Sequence, residues 1–209
     1  MLATLLDLIL HLDVHLQALT QDYGVWVYAI LFLIIFSETG LVVAPFLPGD
    51  SLLFVAGALC ATGALRIEWL APLLMLAAFT GDNTNYWIGR LLGQRLLKYT
   101  GSRWLKREHL DKTHAFYAEH GGKTVLFARF LPIVRTFAPF VAGIGAMSYR
   151  LFLLFSALGS LAWISFFTLC GYFFGNIPAV KDNLMLIILG IIFISFLPAL
   201  RELVRQRRG

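Results

Sequence analysis

Two apolar stretches interrupted by proline constrain the fold of this chain most. Residues 25–47 are apolar except for Ser37 and Glu38, and after a Pro-Phe-Leu-Pro-Gly-Asp break residues 51–65 are apolar again. A helix needs about 20 apolar residues to cross a bilayer, so the second arm is too short to span one. A descending arm, a break and a short returning arm predict a re-entrant helical hairpin. Its break residues are Pro45, Pro48 and Gly49.

The second interrupted stretch covers residues 124–147 and breaks at Pro132 and Pro139. The whole chain is 59% hydrophobic and only 14% charged, whereas a typical soluble domain carries about 25% charged residues. A soluble fold of this size would have to expose much of its apolar surface. The sequence therefore predicts an all-α integral membrane protein.

An ordered pair of motifs recurs in both stretches. Phe-Leu-Pro is followed by Phe-Val-Ala-Gly, which ends at Gly57 in the first stretch and at Gly143 in the second. A Tyr-x-x-Gly motif ends 32 residues later in each case, at Gly89 and at Gly175. The shared spacing predicts two inverted repeats, each a re-entrant hairpin followed by one crossing helix, as in many secondary transporters. Two proline-bent helices without functional meaning are the simpler alternative.

The charge distribution orients these segments. All 17 Lys and Arg residues lie after residue 65, and they concentrate in the segment from Arg90 to Lys123 and in the C-terminal tail. The positive-inside rule places both on the cytoplasmic side, where they face anionic lipid rather than nucleic acid. The sequence predicts a single domain that begins with an amphipathic N-terminal helix in 1–23. Two repeats follow: the first covers 24–90 with its crossing helix at 69–89, and the second covers 124–176 with its crossing helix at 150–175. Basic cytoplasmic surface helices in 91–123 connect the repeats, and the last segment, 177–209, contains a final crossing at 184–200 and the basic tail.

Four ionisable side chains fall within the two hairpins: Glu38, Asp50, Arg129 and Arg135. Each isolated charge at the bilayer centre costs about 2.5–3.5 kcal/mol on insertion scales, so acids facing bases would offset much of this cost. We expect the inverted arrangement to bring them together. Two interpretations compete: an ion-pair cluster that locks the hairpins, or a site for an anion with proton coupling, for which arginine and partly dehydrated carboxylates are suited.

Asp82 and Asn85 are secondary candidates. They lie in the polar end of the predicted crossing 69–89, near the cytoplasm, where solvation of Asp82 is the simpler alternative to a functional role. Neither hairpin contains a histidine, and the sequence shows no clustered nucleophile and base, no metal motif and no cofactor motif. We therefore expect neither an enzyme nor a metal protein.

Several motifs closely resemble the DedA family of bacterial inner-membrane proteins, of the VTT type. The resemblance covers nearly the whole chain and is carried by Glu38-Thr39-Gly40, Pro45-Phe46-Leu47-Pro48-Gly49-Asp50-Ser51, Gly81-Asp82, Asn85-Tyr86, Gly89-Arg90 and the run from Ala128 to Gly143. It implies a multi-pass protein of the bacterial cytoplasmic membrane with a cytoplasmic C-terminus. It also implies a role in returning undecaprenyl phosphate across that membrane, linked to the proton motive force, and phospholipid scrambling by eukaryotic relatives. In the family the acids matching Glu38 and Asp50 and the arginines matching Arg129 and Arg135 are essential.

The combined hypothesis is a proton-coupled flippase. Arg129, Arg135 and Ser51 are predicted to bind the lipid phosphate, and Glu38 and Asp50 to compete for the arginines until they are protonated. A proton-coupled ion antiporter and a general phospholipid scramblase stay open as alternatives. The expected partners are lipid phosphate, membrane lipids and protons, without nucleic acid, and a homo-oligomer is compatible with the sequence.

Overall fold

The computed structural model describes residues 16, 20, 23–41, 49–98, 122–129, 131–175, 177–181 and 190. All regular secondary structure in these ranges is helical, which confirms the all-α prediction. The helices of these ranges are α1 (Trp26–Gly40), α2 (Gly49–Ala61), α3 (Ile67–Lys98), α4 (Gly122–Ala128), α5 (Pro132–Ile144), α6 (Tyr149–Phe174) and α7 (Pro178–Lys181). Apart from isolated positions, four predicted segments lie outside the described residues: the N-terminal amphipathic helix, the segment 99–121, the crossing 184–200 and the basic tail.

The first hairpin region contains two helices, α1 and α2, as its two apolar arms predict. The break residues Pro45 and Pro48 lie outside the described residues, and Gly49 begins α2. Asp50 follows in the first turn, where a carboxylate is favoured by the helix dipole. All residues of α2 from Gly49 to Cys60 are buried. The re-entrant path itself stays a prediction.

The second hairpin region differs from its prediction at one proline. Pro132 begins α5, where the missing N–H of proline costs no hydrogen bond. Pro139 lies inside the same helix rather than at a break, so the prediction of a second break there is wrong. A proline in a helix removes one backbone hydrogen bond and can be accommodated by a local kink, so its presence alone does not end a helix. The neighbouring helices α4 and α5 are in contact.

The crossing segments agree with the predicted helices but not fully with their ends. Within the described ranges, Tyr149–Phe174 is the helix long and apolar enough to cross a membrane, and it matches the predicted crossing 150–175. The predicted crossing 69–89 lies inside α3, but α3 is 32 residues long and ends only at Lys98. The expectation of a separate surface helix starting near residue 90 is therefore wrong for residues 90–98.

The described chain divides into two compact units. The first unit holds the described residues within 1–35, 46–76 and 162–209, and the second holds those within 36–45 and 77–161. Each unit therefore combines the Phe-Val-Ala-Gly arm of one repeat with part of the crossing helix of the other, and both α3 and α6 are divided between the units. The predicted repeats are not the packing units, because their segments are exchanged.

Glycines make the helix contact inside each unit. In the first unit, a Cβ added to Gly57 of α2 would overlap the carbonyl oxygen of Thr168, and one added to Gly171 of α6 would overlap the carbonyl oxygen of Phe54. Because each helix backbone occupies the space of the other's missing side chain, α2 and α6 approach closely, as small residues allow in membranes.

The second unit repeats this contact with α5 and α3. A Cβ on Gly143 would overlap the carbonyl oxygen of Tyr86, and one on Gly89 would overlap that of Phe140. The two Phe-Val-Ala-Gly motifs thus make equivalent contacts, as the repeat predicts. In α6, however, the contacting residues are Thr168 and Gly171. They lie four residues before Tyr172 and Gly175, the Tyr-x-x-Gly residues that align with Tyr86 and Gly89.

Candidate functional site

Glu38 and Arg135 form a buried ion pair in the second unit. Glu38 lies in the last turn of α1 with no exposed surface, and Arg135 lies in the first turn of α5 with 8% exposure. The Arg135 Nη2 atom donates to Glu38 Oε1. This is one of the acid–base pairs that the cost of buried charge predicts. It joins two segments that are 97 residues apart in the chain.

Asp82 and Arg129 form a second buried ion pair in the same unit. Arg129 Nη2 donates to Asp82 Oδ2, and the two residues are 4% and 2% exposed. The alternative of a solvated Asp82 is therefore wrong. The sequence indicates a position near a helix end because it predicts that the crossing stops at residue 89. Since α3 runs to Lys98, Asp82 lies in the middle of the helix.

Two serines of α6 complete the environment of this pair, and the sequence analysis missed both. Ser156 Oγ donates to Asp82 Oδ2 at 2.7 Å, and Arg129 Nη1 donates to Ser160 Oγ. Their spacing of four residues, on one face of an apolar helix, was the signal available in the sequence. Gly159 supports the arrangement, because a Cβ there would lie only 3.3 Å from Arg129 Cδ.

Asn85 connects the backbones beside the first ion pair. Its Nδ2 group donates to the Thr39 carbonyl at 3.1 Å and to the Thr136 carbonyl at 2.7 Å. These carbonyls belong to the residues that follow Glu38 and Arg135. Asn85 is fully buried, and among the described residues its Oδ1 atom has no hydrogen-bond partner. The Asn85 Oδ1 atom is therefore a buried acceptor beside the Glu38–Arg135 pair for which no donor is described.

Asp50 and Ser51 lie in the first unit. Trp163 Nε1 donates to Asp50 Oδ1 at 2.8 Å, and both side chains are buried. Trp163 is a partner that the sequence analysis did not identify. Ser51 Oγ is fully buried and has no hydrogen-bond partner among the described residues, as is the case for Thr168 Oγ1. Glu38 thus has the arginine partner that the sequence predicts, whereas the contact described for Asp50 is with the indole of Trp163.

Among its described residues, the second unit buries two guanidinium groups and two carboxylates between apolar helices. Each guanidinium donates to a carboxylate, so the four formal charges sum to zero when all are ionised. Such a cluster can accept an anion if a carboxylate loses its charge, because an arginine fork binds phosphate oxygens as readily as carboxylate oxygens. Among the described residues there is no group of three His, Cys, Asp or Glu side chains that could hold a metal ion.

Among the described residues, the charged pairs buried between apolar helices and the one helix long and apolar enough to cross a bilayer are features expected of a membrane protein. Residues 47–173 match the VTT domain. The chain is 59% identical to "Protein DedA" of Escherichia coli K12 over 98% of its own length and 94% of that protein. No solved structure matches the chain.

Two further relatives are similar over most of the chain. "Uncharacterized membrane protein ML0287" of Mycobacterium leprae is 48% identical over 80% of this chain and 75% of that protein. "Inner membrane protein YqjA" of Escherichia coli K12 is 34% identical over 81% of this chain and 79% of that protein. The chain is therefore a membrane protein that belongs to the DedA family, which carries the VTT domain.

Proposed function

We propose that this protein is a proton-coupled flippase that returns a polyprenyl lipid phosphate, such as undecaprenyl phosphate, across the bacterial cytoplasmic membrane. The observation that carries the proposal is the presence of two arginines, Arg129 and Arg135, each buried against a carboxylate in one compact unit. The lipid phosphate has an anionic head that needs a polar path and an apolar chain that can stay in lipid. The identity of the lipid follows from the family resemblance.

The first step is an exchange of anions at Arg135. While Glu38 is ionised it holds the guanidinium, as the buried pair shows. When Glu38 binds a proton, it becomes neutral and its hold on Arg135 weakens. A phosphate oxygen can then take the same donors, so the buried arginine stays neutralised throughout. One proton enters for each carboxylate that yields its arginine.

Asp82 carries the same exchange at Arg129. It holds the guanidinium directly, and Ser156 and Ser160 offer hydroxyls to the two partners. Asp50 keeps its predicted role in proton coupling, acting within the first unit through its contact with Trp163. Ser51 lies in the first unit and stays a candidate hydroxyl ligand for phosphate within that unit. Asn85 positions the backbones that carry Glu38 and Arg135.

Transport in proteoliposomes tests the arginine. Arg135→Ala should lower polyprenyl phosphate translocation by a factor of ten or more, the equivalent of about 1.4 kcal/mol, because the head group loses a charge-assisted partner. Arg135→Lys should retain part of the rate, since it keeps the charge but not the fork. Arg150→Ala, which removes an exposed arginine, is the matched control and should transport normally. Normal transport by Arg135→Ala would contradict the proposal.

The pH dependence of transport tests the coupling. Glu38→Gln keeps the shape of the side chain but cannot exchange a proton, so the response of translocation to an imposed pH difference should weaken, and the part that remains is carried by the other carboxylates. Translocation is measured with the pH gradient directed inward, outward and collapsed. An unchanged pH response in Glu38→Gln would rule out coupling at this residue.

The same liposomes separate the alternatives. Cation-dependent proton flux without lipid phosphate would indicate an ion antiporter. Equal movement of phosphatidylglycerol and polyprenyl phosphate would indicate a general scramblase. We expect no release of inorganic phosphate from the lipid, and its appearance would point to a phosphatase.

A further inference from the structure

A cavity in the first unit opens beside the start of α3, and no function has yet been given to it. It has a volume of about 690 Å³ and is lined by residues from the beginning of α1, the turn after α2 and the first turns of α3, among them Val25, Tyr28, Leu65, Arg66, Trp69 and Leu73. Cavities of about 300–1,000 Å³ are typical of small-molecule sites. A smaller cavity of about 440 Å³ shares Arg66 and Trp69 and adds Glu68.

The turn that shapes this cavity is held by specific contacts. Gly63 has a φ of +80° and ends α2 in a Schellman motif, in which Gly63 N–H donates to Cys60 and Ala64 N–H to Leu59. The backbone N–H of Arg66 then donates to the Tyr28 hydroxyl at 2.8 Å. These bonds place the Arg66 side chain at a wall of the cavity without using its guanidinium.

The lining is amphiphilic. Arg66 is an exposed cation. The Tyr28 hydroxyl accepts a hydrogen bond from the Arg66 backbone N–H, and among the described residues no acceptor is recorded for its own proton. The opposite character comes from Val25, Leu65 and Leu73. The first backbone N–H groups of α3 add a partial positive charge at the same end. A ligand with one anionic end and one apolar end satisfies both parts of the lining.

Exposed aromatic side chains mark this end of the unit. Trp26 is 70% exposed, Trp69 is 69% exposed and Tyr23 is 54% exposed. Tryptophan and tyrosine are enriched at the level of lipid head groups, where one end of the ring is wet and the other apolar. On the topology that the basic residues predict, the start of α3 faces away from the cytoplasm.

From these observations we infer that this cavity binds the phosphate head of a membrane lipid. Arg66 and the Tyr28 hydroxyl hold the phosphate, and the first part of the lipid chain lies along Val25, Leu65 and Leu73. The site differs in its residues from the arginines of the second unit. It supplies a place where a lipid phosphate can be captured from the outer leaflet before any exchange at Glu38 and Arg135.

Photocrosslinking of the full-length protein in nanodiscs tests the site. The probe is farnesyl phosphate with a photoreactive group in its chain, and the crosslinked peptides are mapped by mass spectrometry. Crosslinks should fall within residues 63–73. Arg66→Gln should lower the apparent affinity about tenfold, the size of one charge-assisted hydrogen bond, and Arg66→Lys less. Arg150→Gln, an exposed arginine in the first turn of α6, is the matched control and should bind normally.

Competition identifies the source of the phosphate. Unlabelled farnesyl phosphate should displace the probe, while inorganic phosphate and farnesol should not. Competition by inorganic phosphate at equal concentration would make this a free-phosphate site, and competition by farnesol would make it an apolar groove; either result overturns the inference. An unchanged affinity in Arg66→Gln would overturn it as well.

Two variants distinguish failure of this lipid-phosphate site from failure of the proposed flippase mechanism. Arg135→Ala should lower transport by a factor of ten or more but leave the crosslink within residues 63–73. Arg66→Gln should leave transport intact at saturating lipid and reduce it at low lipid. Loss of the crosslink in Arg135→Ala would show that the two sets of residues do not act independently.

Discussion

The two compact units share one packing contact and differ in their polar chemistry. Gly57 and Gly143 each place an α-helix against the backbone of the crossing helix from the other repeat. The second unit buries two arginine–carboxylate pairs, whereas the polar contact described between α2 and α6 of the first unit is the bond from Trp163 to Asp50. The repeat therefore supplies a common scaffold, and the charges are a property of particular positions on it.

A shift of one helical turn separates the two contacts. The Tyr-x-x-Gly motifs align Tyr86 with Tyr172, but the contact in the first unit uses Thr168 and Gly171, four residues earlier. Four residues of α-helix correspond to about 6 Å of rise. When the units are aligned by contact, Ile164 takes the place of Asp82, and both are buried. The first unit thus has an apolar side chain where the second has a charge.

Removing one member of an ion pair should produce the largest difference between the units. Asp82→Ala leaves Arg129 buried without its carboxylate and should lower the free energy of unfolding by about 3–5 kcal/mol. Asp50→Ala removes an acceptor of an indole N–H and should cost about 1–3 kcal/mol. Unfolding in mixed micelles measures both, with exposed Glu68→Ala as the control. Equal losses would mean that the units are not distinguished by their charges.

The shared glycine contact is tested by one added methyl group in each unit. Gly57→Ala and Gly143→Ala both place a Cβ against a backbone carbonyl, so each should lower the free energy of unfolding by about 1–3 kcal/mol. A Cβ at Gly190 meets no atom within 4 Å, so Gly190→Ala is the matched control and should be neutral or stabilising. A loss confined to one of the two variants would show that the contacts are not equivalent.

Single hydrogen bonds to the carboxylates should have a smaller effect and a clear order. Trp163→Phe keeps most of the ring and removes the donor to Asp50, at a cost of about 1–2 kcal/mol. Ser156→Ala removes a donor to Asp82, which retains Arg129, so the loss should be smaller than that of Asp82→Ala. Thermal unfolding in detergent ranks the three variants. A loss in Ser156→Ala as large as that in Asp82→Ala would indicate that the ion pair does not compensate Asp82.

The helix ends offer the finest comparison, with effects of opposite sign. Both α2 and α5 end in Schellman motifs, with Gly63 at a φ of +80° in one and Ala146 at a φ of +50° in the other. A side chain in this left-handed region costs about 1 kcal/mol. Gly63→Ala should therefore destabilise and Ala146→Gly should stabilise the protein by about that amount. Thermal unfolding measures both, and shifts of the same sign would contradict the explanation.

Much of the helical framework could be predicted from local patterns. Apolar runs define α1, α2 and α6, and Pro132 marks the start of α5 because only the first turn of a helix tolerates a missing N–H at no cost. The exchange of segments between the repeats could not be predicted, because a motif records which residues are equivalent and not which helix each one contacts. The length of α3 could not be predicted either, since the basic residues among 90–98 indicate the membrane surface, whereas the helix continues through them.

For the candidate site, the sequence alone determined that buried acids and bases must meet, because an unpaired charge among apolar helices is costly. That reasoning identified Glu38 and Arg135 without their geometry. Only the tertiary structure decided that Arg129 pairs with Asp82, that two serines of α6 join them and that Asp50 contacts Trp163. These partners lie 31 to 113 residues apart, and they depend on the register in which the helices cross. Because one turn of register exchanges a charged neighbour for an apolar one, no local pattern in the chain could have selected them.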